Sequence, residues 1–470
     1  MNDPFSMITS KSPYFLLGLC FTSCAVGPDF KLSNSVVPAT WGFGNSQLAA
    51  ASPANPADLR QWWHRFNDAK LNSLVEQALD ANLDVKIAVA RLRQARAQRQ
   101  GAAASFWPWL NSSGGESQSA VGGSGSAAGS SSSYHGSLSA AWELDLFGGN
   151  RRNLESASAR QAAVAADLDA TRLSLAAEVA LTYCQLRSIQ DQLTVAHRNL
   201  STQQHSSEIT HDRRSAGFAS DLDVVNADAL VASTKAQIPS LETSARHSTH
   251  AIAVLLGRPP ADLLGMLTKV APVPTASATI PTGIPSDLLR RRPDIRSAEA
   301  SAHAATANIG VAVADLFPKF TLNGSLNQQS AKLSDWLSPS ARSSSFGPSF
   351  NWALFQGGAI QANIRVQQAL RDQSLLAYRK SVLTALQEVE DAMVAGSNEQ
   401  KRCASLIEAV AANRRAVELS TQLYTAGQTD FINVLNAQRS LLQSESELTL
   451  SHLAMATDLI ALYKALGGGW

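Results

Sequence analysis

Charge is scarce in this 470-residue chain: Asp, Glu, Lys and Arg together make up 16% of it, against about 25% in an average soluble domain. Aromatic residues reach only 6%. The 39 basic and 38 acidic residues leave a formal net charge of +1, and the one basic run set apart from acidic residues is Arg290-Arg291-Arg292. That excludes the electrostatic footprint of a nucleic-acid binder. Beyond the N-terminal stretch there is no apolar run of about 18 residues, so the body of the chain can cross a membrane only as a β-barrel. HExxH, paired CxxC, GxSxG and P-loop patterns are missing, which argues against an enzyme and against a bound metal or cofactor. His247 and His250 share a helical face at a spacing that suits a metal, and are read as a solvated polar face.

Cysteine is also rare: Cys20, Cys24, Cys184 and Cys403 are all there is. The first two lie in an N-terminal segment where Lys11 precedes an apolar stretch, Tyr14 to Phe21, and small residues follow. Residues 1–23 therefore read as a secretory signal. Phe21-Thr22-Ser23-Cys24 resembles a bacterial lipobox, which makes Cys24 the expected lipidated first residue of the mature chain. The alternative is an ordinary signal peptide cut nearby. Acyl chains on Cys24 anchor a protein to a membrane at about 0.8 kcal/mol per buried methylene.

What the chain has in abundance is internal repetition. At an offset of 210 residues Asp84, Pro108, Gly114, Trp142, Glu178, Gly217, Asn226 and Gly257 reappear as Asp294, Pro318, Gly324, Trp352, Glu388, Gly427, Asn436 and Gly467. Two copies of one structural unit follow. The expected organisation is a tail over 24–69, a first repeat over 70–257, a Pro-rich connector over 258–285 and a second repeat over 286–470. Each repeat reads as helix, β-hairpin (110–147 and 320–355) and long helical hairpin (150–256 and 359–466). Apolar and small residues fall seven apart along the long helices, as at Val382, Val389, Gly396, Cys403, Val410, Val417 and Tyr424, the beat of left-handed coiled-coil packing. A helix of about 65 residues is about 100 Å long.

The strands are expected at Leu110 to Ser119 and Tyr134 to Leu146, separated by a Gly/Ser tract over 122–133, and at Phe320 to Gln329 and Ser345 to Leu354. Trp107, Trp109, Trp142, Trp336 and Trp352 cluster around them, five of the nine tryptophans, as an interfacial girdle requires. Soluble hairpins packed on the helices are the other reading. Four strands cannot close a barrel in lipid, so oligomers are required; a trimer supplies about twelve strands and a dimer about eight.

The run Pro285-Ser286-Asp287-Leu288-Leu289-Arg290-Arg291-Arg292-Pro293-Asp294-Ile295-Arg296-Ser297-Ala298-Glu299, with Cys24-Ala25-Val26-Gly27-Pro28-Asp29-Phe30 and Trp142-Glu143-Leu144-Asp145-Leu146-Phe147-Gly148, resembles the TolC family of outer-membrane efflux channels, in its OprM-like and NodT-like lipoprotein branch. The resemblance covers essentially the whole mature chain. It implies a mixed α and β membrane protein: a long α-helical coiled-coil barrel plus a trimeric transmembrane β-barrel of about twelve strands, four per chain, tandem-duplicated. It also implies a homotrimer in the bacterial outer membrane that docks onto a periplasmic adaptor and an inner-membrane pump, of RND type, and exports small molecules passively. Ala25 after the modified Cys24 favours outer-membrane sorting. A channel for type I-like protein secretion and a non-channel coiled-coil lipoprotein remain as alternatives.

The helical hairpins turn at Gly217 and Gly427, where glycine terminates one helix and Ser220-Asp221 or Thr429-Asp430 opens the next. These residues are helix caps or, in a closed ring of tips, a gate in which Asp221, Asp223 and Asp430 lie close together. The resemblance implies carboxylates at the positions of Asn433 and Asn436, which are amides here, and a gate-tying tyrosine at Tyr424. Arg213 and Arg214 are the candidates to pair with tip aspartates across the aperture, and the turns at Gly217 and Gly427 the candidates for adaptor contact.

Overall fold

A computed structural model describes residues 25–32, 37–38, 41–42, 49–50, 60–121, 129–275, 280–281 and 285–468. The signal over 1–23 and the lipidation site Cys24 lie outside the described residues. The chain divides into two compact units.

The first unit comprises Gly101–Ser156 and Thr306–Gln368 with the described part of Met1–Asp29. It holds a four-stranded antiparallel sheet in the order β1 (Trp109–Val121), β2 (Gly129–Leu144), β3 (Lys319–Ser330), β4 (Arg342–Asn351). The duplication is kept to the residue: Trp109 faces Ala141, and 210 positions on Lys319 faces Asn351. Strand β2 begins at Gly129, inside the tract expected to be a linker. The reason is chemical: serine hydroxyls there pair across the strands, Ser119 with Ser131 at 2.9 Å and Ser113 with Ser137 at 2.7 Å, so a run without apolar residues still pairs.

The second unit comprises Phe30–Gln100, Ala157–Ala305 and Ala369–Trp470. Its helices longer than four residues are α1 (Ala69–Ala81), α2 (Leu83–Ala104), α3 (Gly149–Ser215), α4 (Asp221–Leu255), α5 (Pro293–Ala314), α6 (Ala359–Thr425) and α7 (Phe431–Ala465), the ends of α2, α3, α5 and α6 lying in the first unit. The bounds of α2, α3 and α4 shifted by 210 give those of α5, α6 and α7. Among the described residues no helix is long and apolar enough to cross a membrane.

The core of this unit gathers Trp62, Trp63, Phe66, Tyr183, Val389, Ile460 and Tyr463 from α3, α6, α7 and the 3-10 turn Trp62–Phe66. Helix starts are fixed by side chains. Asp68 caps α1 by accepting from the amides of Lys70 and Leu71 at 2.8 and 3.0 Å, and Tyr183 Oη donates to its other oxygen at 2.8 Å. Asn82 accepts from the amide of Asp84 at 2.7 Å to start α2, while its Nδ2 donates to Leu255 O at 2.9 Å. In the second repeat Arg292 takes that place, with Nη1 donating to Ala465 O at 3.0 Å. The Arg292-Pro293-Asp294 run is thus a structural clasp. Pro293 opens α5, where its missing N–H is not needed.

Halfway along the hairpins, buried Glu445 on α7 accepts from Asn199 Nδ2 on α3 at 2.8 Å and Arg414 Nη2 on α6 at 2.9 Å, with Arg198 Nη2 at 2.5 Å. Burial alone raises its pKa, but these donors outweigh burial and hold it below the usual carboxylate range.

Candidate functional site

Two places carry functional chemistry. In the first unit, all three strand pairings join residues of equal parity, so odd-numbered positions share one face of the sheet and even-numbered positions the other. The even face carries Leu110, Leu138, Trp142, Leu322, Phe346 and Phe350, all but Leu322 among the large exposed apolar side chains. The odd face carries serine, asparagine and threonine, joined across strands by Asn323 Nδ2 to Ser349 Oγ at 2.6 Å and Ser325 to Ser345 at 2.8 Å. That is the two-sided pattern of a barrel strand, apolar towards lipid and polar towards the lumen. The girdle is tied at its rim: Trp142 Nε1 donates to Phe106 O, and at the same offset Trp352 Nε1 donates to Leu316 O, both at 3.0 Å. The outer edges of β1 and β4 have no partner strand among the described residues.

The second place is the pair of hairpin tips. Gly217 and Gly427 adopt φ of +80° and +76°, which ends α3 and α6 with the amides of Phe218 and Gln428 donating back to Arg213 O and Leu423 O at 2.7 and 2.8 Å. Asp223 forms a capping box with Ser220. Asp430 sits at the start of α7 without a side-chain cap bond. Asn433 Nδ2 donates to Thr429 Oγ1 at 2.7 Å, and Asn436 is exposed on α7. The two arginines diverge. Arg214 makes a bidentate pair with Asp221 in its own hairpin, at 2.6 and 3.1 Å, which holds Asp221 below the usual carboxylate range. Arg213 reaches the other hairpin: its guanidinium lies 4.8 Å from the Tyr424 ring centroid and donates to Thr425 O at 3.1 Å. Tyr424 is buried against Phe431, ring centroids 5.3 Å apart. Asp223 and Asp430 make no ion pair among the described residues.

Comparison with known proteins decides the family. A model described as outer membrane efflux protein matches residues 74–258 and again residues 284–468. The chain belongs to the outer membrane efflux protein family. It is similar to nodulation protein T of Rhizobium leguminosarum bv. trifolii, 34% identical over 460 residues that cover 98% of this chain and 97% of that protein. The pyoverdine export outer membrane protein OpmQ of Pseudomonas aeruginosa is 33% identical over 470 residues, covering 98% and 96%. Among solved structures, the outer-membrane channel OprN superposes with a TM-score of 0.87 at 38% identity, covering 95% of this chain and all of that one. As an outer membrane efflux protein the chain has the fold of TolC-like channels and acts at the bacterial outer membrane as the channel component of an efflux system.

Sequence reading missed two features of this efflux protein. Phe431, the aromatic partner of Tyr424, was legible as an aromatic placed directly after the Thr429-Asp430 helix start. The other is a clasp in the first unit. Val26 N donates to Phe147 O at 3.1 Å, and Gly27, at φ +90°, lies so close to α5 that a Cβ there would stand 2.4 Å from Gly310 Cα. Buried Arg152 holds the same segment through Val26 O at 3.1 Å and Asp29 Oδ1 at 2.7 Å. Contacts between residues so far apart in the chain leave only the Gly-Pro-Asp turn as a local signal.

Proposed function

We propose that three copies of this chain form a passive outer-membrane duct of about twelve strands, through which small molecules leave without any catalytic step in this protein. The observation that carries the reading is the sheet: an exposed apolar face, a hydroxyl- and amide-lined polar face and two edges without a partner strand among the described residues, which neighbouring copies can satisfy in lipid. In the periplasm the turns at Gly217 and Gly427 meet a periplasmic adaptor, and an inner-membrane pump, of RND type, supplies the energy. Cys24 carries the lipid anchor. The segment that follows it is docked, with Val26 N donating to Phe147 O just beyond the end of β2. The reading assigns the chain no cofactor and no metal.

The test is electrical. Purified protein added to a planar lipid bilayer is expected to give discrete current steps that need no nucleotide, with the current carried in both directions. Bilayers that stay silent at every protein concentration would contradict the duct.

A further inference from the structure

The turn between β3 and β4 folds back onto the even face of the sheet. The strand register puts Gly114, Gly136, Gln328 and Arg342 in one row across that face, and no side chain of the row is apolar. A Cβ at Gly136 would stand 2.8 Å from the Trp336 ring, so the indole occupies the place of the missing side chain. Gln328 Nε2 donates to Trp336 O, which masks the amide of the same row. The second hairpin fills its gap from within: 210 positions on, Gly114 and Gly136 become Gly324 and Phe346, and the Phe346 ring lies 3.6 Å from a Cβ at Gly324. In both hairpins an aromatic ring restores apolar surface over a strand glycine.

The height of the apolar band gives this cover a purpose. Along β2 the even face is apolar from Leu144 to Leu138, a rise of about 16 Å at about 3.4 Å per residue and a tilt of about 40°. An outer-membrane barrel presents about 25 Å. The row at Gly136 is apolar only through Trp336, and the next row holds Glu116 and Tyr134. The turn has the chemistry to extend the band. Its backbone closes on itself, with the amides of Trp336, Ser338 and Ala341 donating to Leu333 O, Asp335 O and Ser338 O at 3.3, 3.0 and 3.1 Å, as hydrocarbon demands. Leu333 and Leu337, 67% and 71% exposed, flank Trp336 in sequence. The exposed cations Lys332 and Arg342 bracket them, and Asp335 is the one acid between.

We propose that residues 331–342, within the duct argued above, are a lipid-binding surface in the outer leaflet. Leu333, Trp336 and Leu337 enter the acyl chains and complete the apolar band, while Lys332 and Arg342 meet the anionic phosphates of the headgroups. Trp336 then stands at the opposite end of the band from Trp142 and Trp352, and the turn leaves the lumen free.

The experiment places a bimane fluorophore on Leu337→Cys in the full chain; Cys184 and Cys403 are buried and do not compete for the label. The protein is reconstituted in phosphatidylethanolamine and phosphatidylglycerol vesicles with bromine on the upper acyl chains, and iodide on both sides is the aqueous quencher. The brominated chains are expected to remove most of the emission and iodide little of it. Adding Trp336→Ser, which frees the turn from Gly136, is expected to reverse that order; lipid quenching that survives it overturns the role given to Trp336. Emission from position 337 that iodide quenches at least as strongly as the lipid does, or that neither quencher touches, overturns the proposal. The same label on Ser343→Cys, on the odd face, is expected to answer to iodide alone. Quenching by lipid at position 343 would overturn the two-faced sheet and the duct with it, a separate result.

Discussion

Replacing Trp62 with alanine lowers the unfolding free energy of the helical unit by about 3 to 5 kcal/mol. Trp62 is fully buried, stacked on Tyr463 with centroids 5.5 Å apart at 14°, and edge-on to Trp63 and Phe66 at 5.8 and 6.1 Å. Its indole N–H has no hydrogen-bond partner among the described residues, so truncation removes packing without orphaning an acceptor, and the loss is a transfer plus cavity effect. Trp62→Phe, which keeps a ring on Tyr463, costs less. Melting of the helical circular dichroism signal in detergent reads both; a Trp62→Ala protein that melts with the wild type would show that the turn before α1 contributes nothing to holding α7.

Arg292→Ala costs about 2 to 3 kcal/mol by the same measurement. The guanidinium is 8% exposed and binds Asp294 through Nε and Nη2 at 3.0 and 2.7 Å, Glu388 at 2.6 Å and Ala465 O at 3.0 Å. Burial works against its charge, but Asp294 and Glu388 outweigh burial and hold its pKa above the ordinary arginine value. The figure stays below that for a fully buried pair because both carboxylates are nearly half exposed, and water solvates them once the arginine is gone. Arg292→Lys restores little, since a point charge cannot span Asp294, Glu388 and a carbonyl together. Equal melting of Arg292→Ala and wild type would reduce the Arg-Pro-Asp run to a mere helix start.

Much of this architecture was legible in the residues. Sparse identities at one offset, from Asp84 and Asp294 to Gly257 and Gly467, marked a duplication that the helix bounds and sheet register keep to the residue. It was legible in part because Asp84, Pro108, Gly217 and Gly257 and their counterparts stand at turns and helix starts, where few side chains serve. The extent of β2 was not, because serine-serine pairing leaves no apolar alternation to read. Nor was the division of labour between Arg213 and Arg214. Adjacent residues on a helix point about 100° apart, so one closes its own hairpin and its neighbour clasps the other, and sequence alone does not say which is which.

The most direct test of a channel assembled from chains that cannot close a barrel alone is the mass of the intact assembly, extracted from membranes in mild detergent and weighed by native mass spectrometry. The account predicts three chains, each beginning at Cys24 with added acyl mass. A monomer that leaves the membrane fraction without detergent would leave the edges of β1 and β4 unpaired and would contradict it.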